Sequence, residues 1–163
     1  MVVLKNIKVD NSSLSSEILV LGRFKNSSVE KSISFLSKED KKNVLDAISI
    51  DLSDGALGDY IMLAGSSSFK RIMLFNLGDK DKLTNDKMRA FGSNLYSLVN
   101  SKKIKKMVLD TKSFSMTTND KTQSLIEGIV LGSYKFEDYK SNRNKKNHLT
   151  DISIYGKIDK VII

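Results

Sequence analysis

Two clusters of cations are the residues whose type and spacing could do chemistry. Lys102, Lys103, Lys105 and Lys106 fall within one five-residue stretch, and Arg143, Lys145 and Lys146 within another of four. Grouped ammonium and guanidinium ions neutralise phosphates and release condensed counterions. The chemistry on offer is therefore contact with a polyanion, nonspecific in sequence and steeply dependent on salt. No base-reading motif accompanies these residues, and two solvated loops would carry them equally well. The formal charge of +8, from 27 Lys and Arg against 19 Asp and Glu, also favours polyanions but is spread along the whole length. Heavy use of lysine, asparagine, serine and isoleucine, with no proline, fits a base-composition bias of the source genome as well as selection for nucleic acid.

Other chemistries find few residues. There is no cysteine, which excludes a disulfide framework, a thiolate nucleophile and a cysteine-ligated metal. The single histidine, His148, sits in the polar run SNRNKKNHLTD, the setting of an exposed loop residue rather than a ligand. Asp51, Asp54 and Asp59 lie close together, but their spacing lacks the alternating ligands and closing glutamate of a calcium loop, and a solvated turn is expected. The serines at Ser12-Ser13 and Ser66 to Ser68 have no histidine near them in sequence, as a triad would need. There is no GxSxG elbow, HExxH pair or P-loop. No catalytic residue and no metal ligand is assigned in this chain.

The 163 residues, 40% hydrophobic and 28% charged, suit one folded domain. The opening MVVLKNIKVD has no long apolar core, and no apolar run approaches the ~18 residues of a membrane span, so a cytoplasmic location without a membrane partner is expected. Val2 to Val9 and Glu17 to Phe24 read as two neighbouring strands able to pair antiparallel. Ser37 can cap a helix from Lys38 to about Ser49. Tyr60 to Ala64 and Lys70 to Leu77 follow as strands joined by Gly65 to Ser68. The second is apolar on both faces and is expected to be central. Thr84 can cap an amphipathic helix carrying Met88, Phe91, Leu95, Leu98 and Val99. Lys102 to Asp110 gives a basic entry and a strand, and Asp151 to Tyr155 a final strand. Strands interleaved with amphipathic helices imply a mixed, largely parallel sheet with helices on both faces.

Thr122 to Tyr139 is the most informative stretch. Leu125, Ile126, Ile129 and Val130 form an apolar helical stripe, and Ser124, Gly128 and Gly132 a row of small residues four apart. Glycine inside a helix costs about 1 kcal/mol relative to alanine, so this pair predicts close backbone approach to a sheet or another helix. The helix runs into an aromatic-rich exit, Gly132-Ser133-Tyr134-Lys135-Phe136, then Tyr139-Lys140-Ser141.

This helix and exit follow Arg71 to Gly78 (RIMLFNLG), a capped helix starting near Leu83-Thr84, and the Lys106 to Asp110 strand. In order and spacing the series resembles the amino-terminal domain of the leucine aminopeptidase family, the two-metal cytosolic aminopeptidases. The resemblance covers nearly all of residues 1–156. Glu127-Gly128 matches the family's small-residue helix, and Asn76 stands where a glycine is usual before Leu77-Gly78. What it implies is an α/β domain similar to macrodomains over 1–156, with 157–163 starting a linker to a carboxy-terminal catalytic domain. The family's two divalent ions, zinc or manganese, belong to that catalytic domain, whose Asn-Thr-Asp-Ala-Glu-Gly-Arg-like signature does not occur here. The implied role is support of the catalytic domain and of a hexamer, in a parent hydrolase that removes amino-terminal residues from peptides. The fragment itself is expected to be inactive. Two alternatives stand beside this. Macrodomain-like folds bind nucleotides at strand ends, although Gly65 to Ser68 and Asn76-Leu77-Gly78 fall short of the ADP-ribose-binding pattern. Some bacterial members of the family also bind DNA, which the two basic clusters could contact.

Overall fold

Four consecutive residues of one strand, Ile18, Leu19, Val20 and Leu21, are wholly buried, which requires a sheet covered on both faces. The computed structural model describes residues 6–9, 16–25, 29–30, 33–51, 57–66, 68–111, 113, 119–138 and 148–155. Its strands are β1 (Asn6–Val9), β2 (Ser16–Arg23), β3 (Tyr60–Ala64), β4 (Phe69–Asn76), β5 (Lys106–Asp110) and β6 (Asp151–Tyr155). The helices are α1 (Lys38–Asp51), α2 (Asn85–Ser101) and α3 (Asn119–Asp138), with a short 3-10 turn at Lys80–Lys82. The six strands lie in the order β1-β6-β5-β2-β4-β3; β3 is antiparallel to β4 and every other pairing is parallel.

Alternate residues of the same strands feed two cores, as the two-residue strand period requires. Leu19, Leu21, Ile72, Leu74 and Val108 join Val44 and Ala47 of α1 on one face. Ile18, Val20, Met73, Met107 and Leu109 join α2 and α3 on the other. The expected mixed, largely parallel sheet with helices on both faces is therefore present. Both expected caps form: Ser37 Oγ accepts from the Asp40 amide at 3.2 Å, and Thr84 Oγ1 from the Lys87 amide at 3.2 Å.

Three expectations are corrected. β1 and β2 do not pair with each other. β2 is flanked by β4 and β5, so both its edges are taken and β1 adds beyond β6, Asn6 opposite Asp151. β4 is one strand in from the β3 edge, with β5 and β2 in the middle; its burial on both faces comes from the helices rather than from a central position. Gly132 to Phe136 is not an exit, because α3 continues to Asp138.

The helix continues there because its glycines are contacts. A Cβ on Gly128 would lie 2.0 Å from the carbonyl oxygen of Arg89, and one on Gly132 would lie 3.0 Å from Ser93 Cα, so α2 and α3 touch backbone to backbone. Gly92, which the sequence reading did not single out, is the reciprocal notch: a Cβ there would meet Leu125 O at 2.3 Å. An ion pair closes the same seam, Arg89 Nε donating to Glu127 Oε2 at 2.8 Å and Nη1 to Asp86 Oδ1 at 2.9 Å, while Gln123 Nε2 donates to Glu127 Oε1 at 3.1 Å. The hydrogen bond from Arg89, then that from Gln123, holds the Glu127 carboxyl below its ordinary value. A depressed folded value stabilises above the unfolded value and loses that contribution as pH falls through the folded one. Stability is therefore expected to drop below about pH 4.5 partly through this group. Glu127→Gln should flatten that part of the pH profile in urea titrations; an unchanged profile would exclude the linkage.

Candidate functional site

The first basic cluster lies where α2 hands the chain to β5. Lys102 caps α2, its amide donating to Val99 O at 3.2 Å, and the Lys103 amide donates to Asn100 O at 3.0 Å. Lys103 has φ +58°, the left-handed conformation that ends many helices and that glycine adopts more cheaply. Ile104 then buries its side chain at 3% exposure, which pins the turn and leaves Lys102, Lys103, Lys105 and Lys106 exposed around it. The Lys105 amide donates to Glu17 Oε2 at 3.1 Å, and its carbonyl accepts from the Thr150 and Asp151 amides at 2.9 and 3.1 Å. Ser16 Oγ donates to the Lys106 carbonyl at 2.9 Å. The four lysines thus crown the amino-terminal edge of β2, β5 and β6, with the carboxylates of Glu17 and Asp151 set among them.

Replacing Lys103 by glycine should relieve the left-handed strain and raise stability by roughly 0.5–1 kcal/mol. Urea unfolding checks this, and a loss of stability would contradict the assigned turn.

Asn100 joins this edge to His148 and Leu149, which lead into β6. It is buried at 3% exposure, and its Oδ1 accepts from the His148 amide at 2.6 Å and the Leu149 amide at 3.3 Å. His148 is brought to the lysine edge by its backbone. Among the described residues no three of His, Cys, Asp and Glu converge as a metal ion would require. Arg143, Lys145 and Lys146 of the second basic cluster lie outside the described residues, as does Asp54. Asp51 closes α1 and Asp59 is exposed before β3.

In the two stretches weighed for nucleotide binding, the Gly65, Ser66, Asn76 and Leu77 amides are engaged within the fold. Between β3 and β4 the Ser66 amide donates to Asp40 Oδ1 at 2.8 Å, so a carboxylate of the chain itself satisfies that donor, and Ser67 lies outside the described residues. At the other edge the Asn76 amide donates to Asp59 O at 2.8 Å and the Leu77 amide to Arg23 O at 2.7 Å.

Sequence reasoning missed a polar set at the carboxyl edge. Arg23, Asn76 and Asp110 end the adjacent strands β2, β4 and β5, and Asn76 and Asp110 are fully buried. The signal was present as three apolar runs each ending in one polar residue. Connections leave β2 and β5 toward opposite faces here, the position where open α/β sheets hold ligands. Arg23 Nη1 donates to Asn76 Oδ1 at 3.3 Å, while Asn76 Nδ2 is buried with no hydrogen-bond partner. Ser113 Oγ accepts from the Gly22 amide at 2.9 Å and donates to Asp110 O at 2.7 Å, strapping β2 to β5. The described members of the set are hydrogen-bonding groups.

The architecture defines the class first: a macrodomain-like α/β fold. The Oceanobacillus iheyensis macrodomain with MES bound superposes with a TM-score of 0.63 at 12% identity, over 91% of this chain and 82% of that one. A tomato leucine aminopeptidase mutant superposes with a TM-score of 0.72 at 19% identity, over 96% of this chain and 33% of that chain. A probable cytosol aminopeptidase of Persephonella marina is 27% identical, over 76% of this chain and 29% of its own length. Residues 20–143 match the N-terminal domain of the cytosol aminopeptidase family. This chain belongs to that family. It spans about a third or less of the two aminopeptidases it matches.

Proposed function

We propose that this chain is the non-catalytic amino-terminal domain of a cytoplasmic leucyl aminopeptidase, a metal-dependent hydrolase that removes amino-terminal residues from peptides. Its role is to support the catalytic domain and the assembly of a hexamer. The supporting observation is coverage: 96% of this chain superposes on 33% of the tomato enzyme. The remaining length of such an enzyme is the place for two divalent ions, zinc or manganese, and for the catalytic groups. The domain boundary is proposed at residue 156, with 157–163 beginning the linker. In the protein encoded by the complete reading frame, removing residues 1–156 should lower the melting temperature and reduce the assembled species in size-exclusion chromatography. A shortened protein that assembles and turns over as the whole one does would sink this reading.

A second role, contact with DNA, is supported by the four exposed lysines at one sheet edge. Four phosphate contacts would weaken binding about a hundredfold between 50 and 200 mM salt, and Lys105→Ala would reduce the logarithmic salt slope by about 1. Fluorescence anisotropy with a duplex probe measures both, and affinity indifferent to salt would exclude phosphate contacts. Arg143, Lys145 and Lys146 are proposed to extend the same interface.

A further inference from the structure

β3 closes the sheet on one side, and among the described residues it hydrogen-bonds to β4 alone. Its sequence, YIMLA, has neither charge nor proline, whereas exposed edges are ordinarily guarded by such residues against pairing with another chain. Tyr60 is 44% exposed and Leu57, just before the strand, 46%.

The outward hydrogen-bonding groups follow from the ladder. The Gly65 amide donates to Lys70 O at 3.0 Å and the Asn76 amide to Asp59 O at 2.8 Å. In an antiparallel pair the bonded positions alternate, so Ile61 and Leu63 bond to β4. The N–H and C=O groups of Tyr60, Met62 and Ala64 then point away from the sheet.

We propose that this edge pairs antiparallel with β3 of a second copy of the chain, about a two-fold axis beside Met62. The strand is self-complementary in that register. Met62 faces Met62 of the second copy, and the large Tyr60 faces the small Ala64. Two backbone hydrogen bonds form at each of three pairs, as an isologous contact requires.

Local charge supports that register. Two copies each carrying +8 repel overall, but the strands that meet carry no charge. The pairing also sets Asp59 beside Gly65 of the second copy, whose ladder neighbour is Lys70. Residues in one row across a sheet project from the same face, and Gly65 has no side chain to intervene. Two strand spacings, about 9.5 Å, separate Asp59 from Lys70 of the second copy, a gap that aspartate and lysine side chains span together. Both residues are exposed, and among the described residues neither has an ion pair within its own chain. The two-fold axis makes this bridge twice. The contact involves β3 and its flanking residues and does not depend on a catalytic domain.

The contact is narrow, at the small end for protein pairs, so association is to be measured by sedimentation over about 10 µM to 1 mM chain at low salt. Asp59→Lys or Lys70→Asp alone should each weaken the dimer roughly tenfold, and the two together should restore it. The chain has no cysteine, so Met62→Cys introduces a unique thiol. Across a hydrogen-bonded pair its Cα would lie about 5.5 Å from its mate, within disulfide range, and mild oxidation should cross-link it well before an Asn94→Cys control on α2. A chain monomeric at every concentration, with Met62→Cys no faster to cross-link than Asn94→Cys, overturns the proposal. A dimer indifferent to both charge reversals overturns it equally.

Discussion

Gly128→Ala is expected to destabilise the chain by about 3 kcal/mol or more, because it overpacks a seam with no slack. The added Cβ would lie 2.0 Å from Arg89 O and 2.7 Å from Arg89 C, both backbone atoms that no rotamer change can move. α2 and α3 must separate, and Leu125, Ile126 and Ile129, buried in the core beneath them, loosen together. The sign makes the test sharp. At an exposed helical position, glycine to alanine would stabilise by up to about 1 kcal/mol. Urea unfolding of Gly128→Ala therefore distinguishes a glycine needed for close approach from one that is incidental. A gain in stability would show that the helices do not touch as described.

Asn100→Ala should cost roughly 2–4 kcal/mol, because it strands two backbone donors at once. The Asn100 side chain, at 3% exposure, is the acceptor for the His148 and Leu149 amides, and Leu149 is itself fully buried. That pair of bonds sets the entry of β6, whose Ile152 and Ile154 fill the core between β1 and β5. Hydrogen exchange should show the amides of residues 148–155 losing protection before those of β2 and β4. Uniform loss of protection would mean that Asn100 supports the whole fold rather than this entry.

Much of the fold was legible because the strongest local signals coincide with tertiary need. Thr84 at the cap and the 3-4 spacing of Met88, Phe91 and Leu95 give α2, and the same residues fill the core. Interior glycines in α3 announced a close contact through their cost. Strand order was not legible. Nothing in Val2 to Val9 or Glu17 to Phe24 says that β5 will claim the position beside β2. That choice belongs to the right-handed crossovers of the parallel sheet. Gly92 escaped notice because one glycine in a helix has no period, and its meaning lies in Leu125, 33 positions away.

The candidate site was legible in part. Lys102, Lys103, Lys105 and Lys106 were readable as a cluster, and Ile104 between them supplies the buried anchor that turns all four outward. The carboxyl-edge set was not readable as one group, since Arg23, Asn76, Asp110 and Ser113 become neighbours only once β2 lies between β4 and β5. Asn76 is the instructive case: inside the Lys70 to Leu77 run it reads as one more strand residue, while in the fold it ends the strand with its side chain wholly buried beside Arg23.

The proposal that this chain supplies structure while a separate catalytic domain would supply the chemistry is put to the test by assaying the purified 163-residue chain on leucine amide with added zinc or manganese. No release of leucine above the buffer control is expected with either ion. Release that scales with the concentration of the chain, and persists after further purification removes contaminating peptidases, would contradict it.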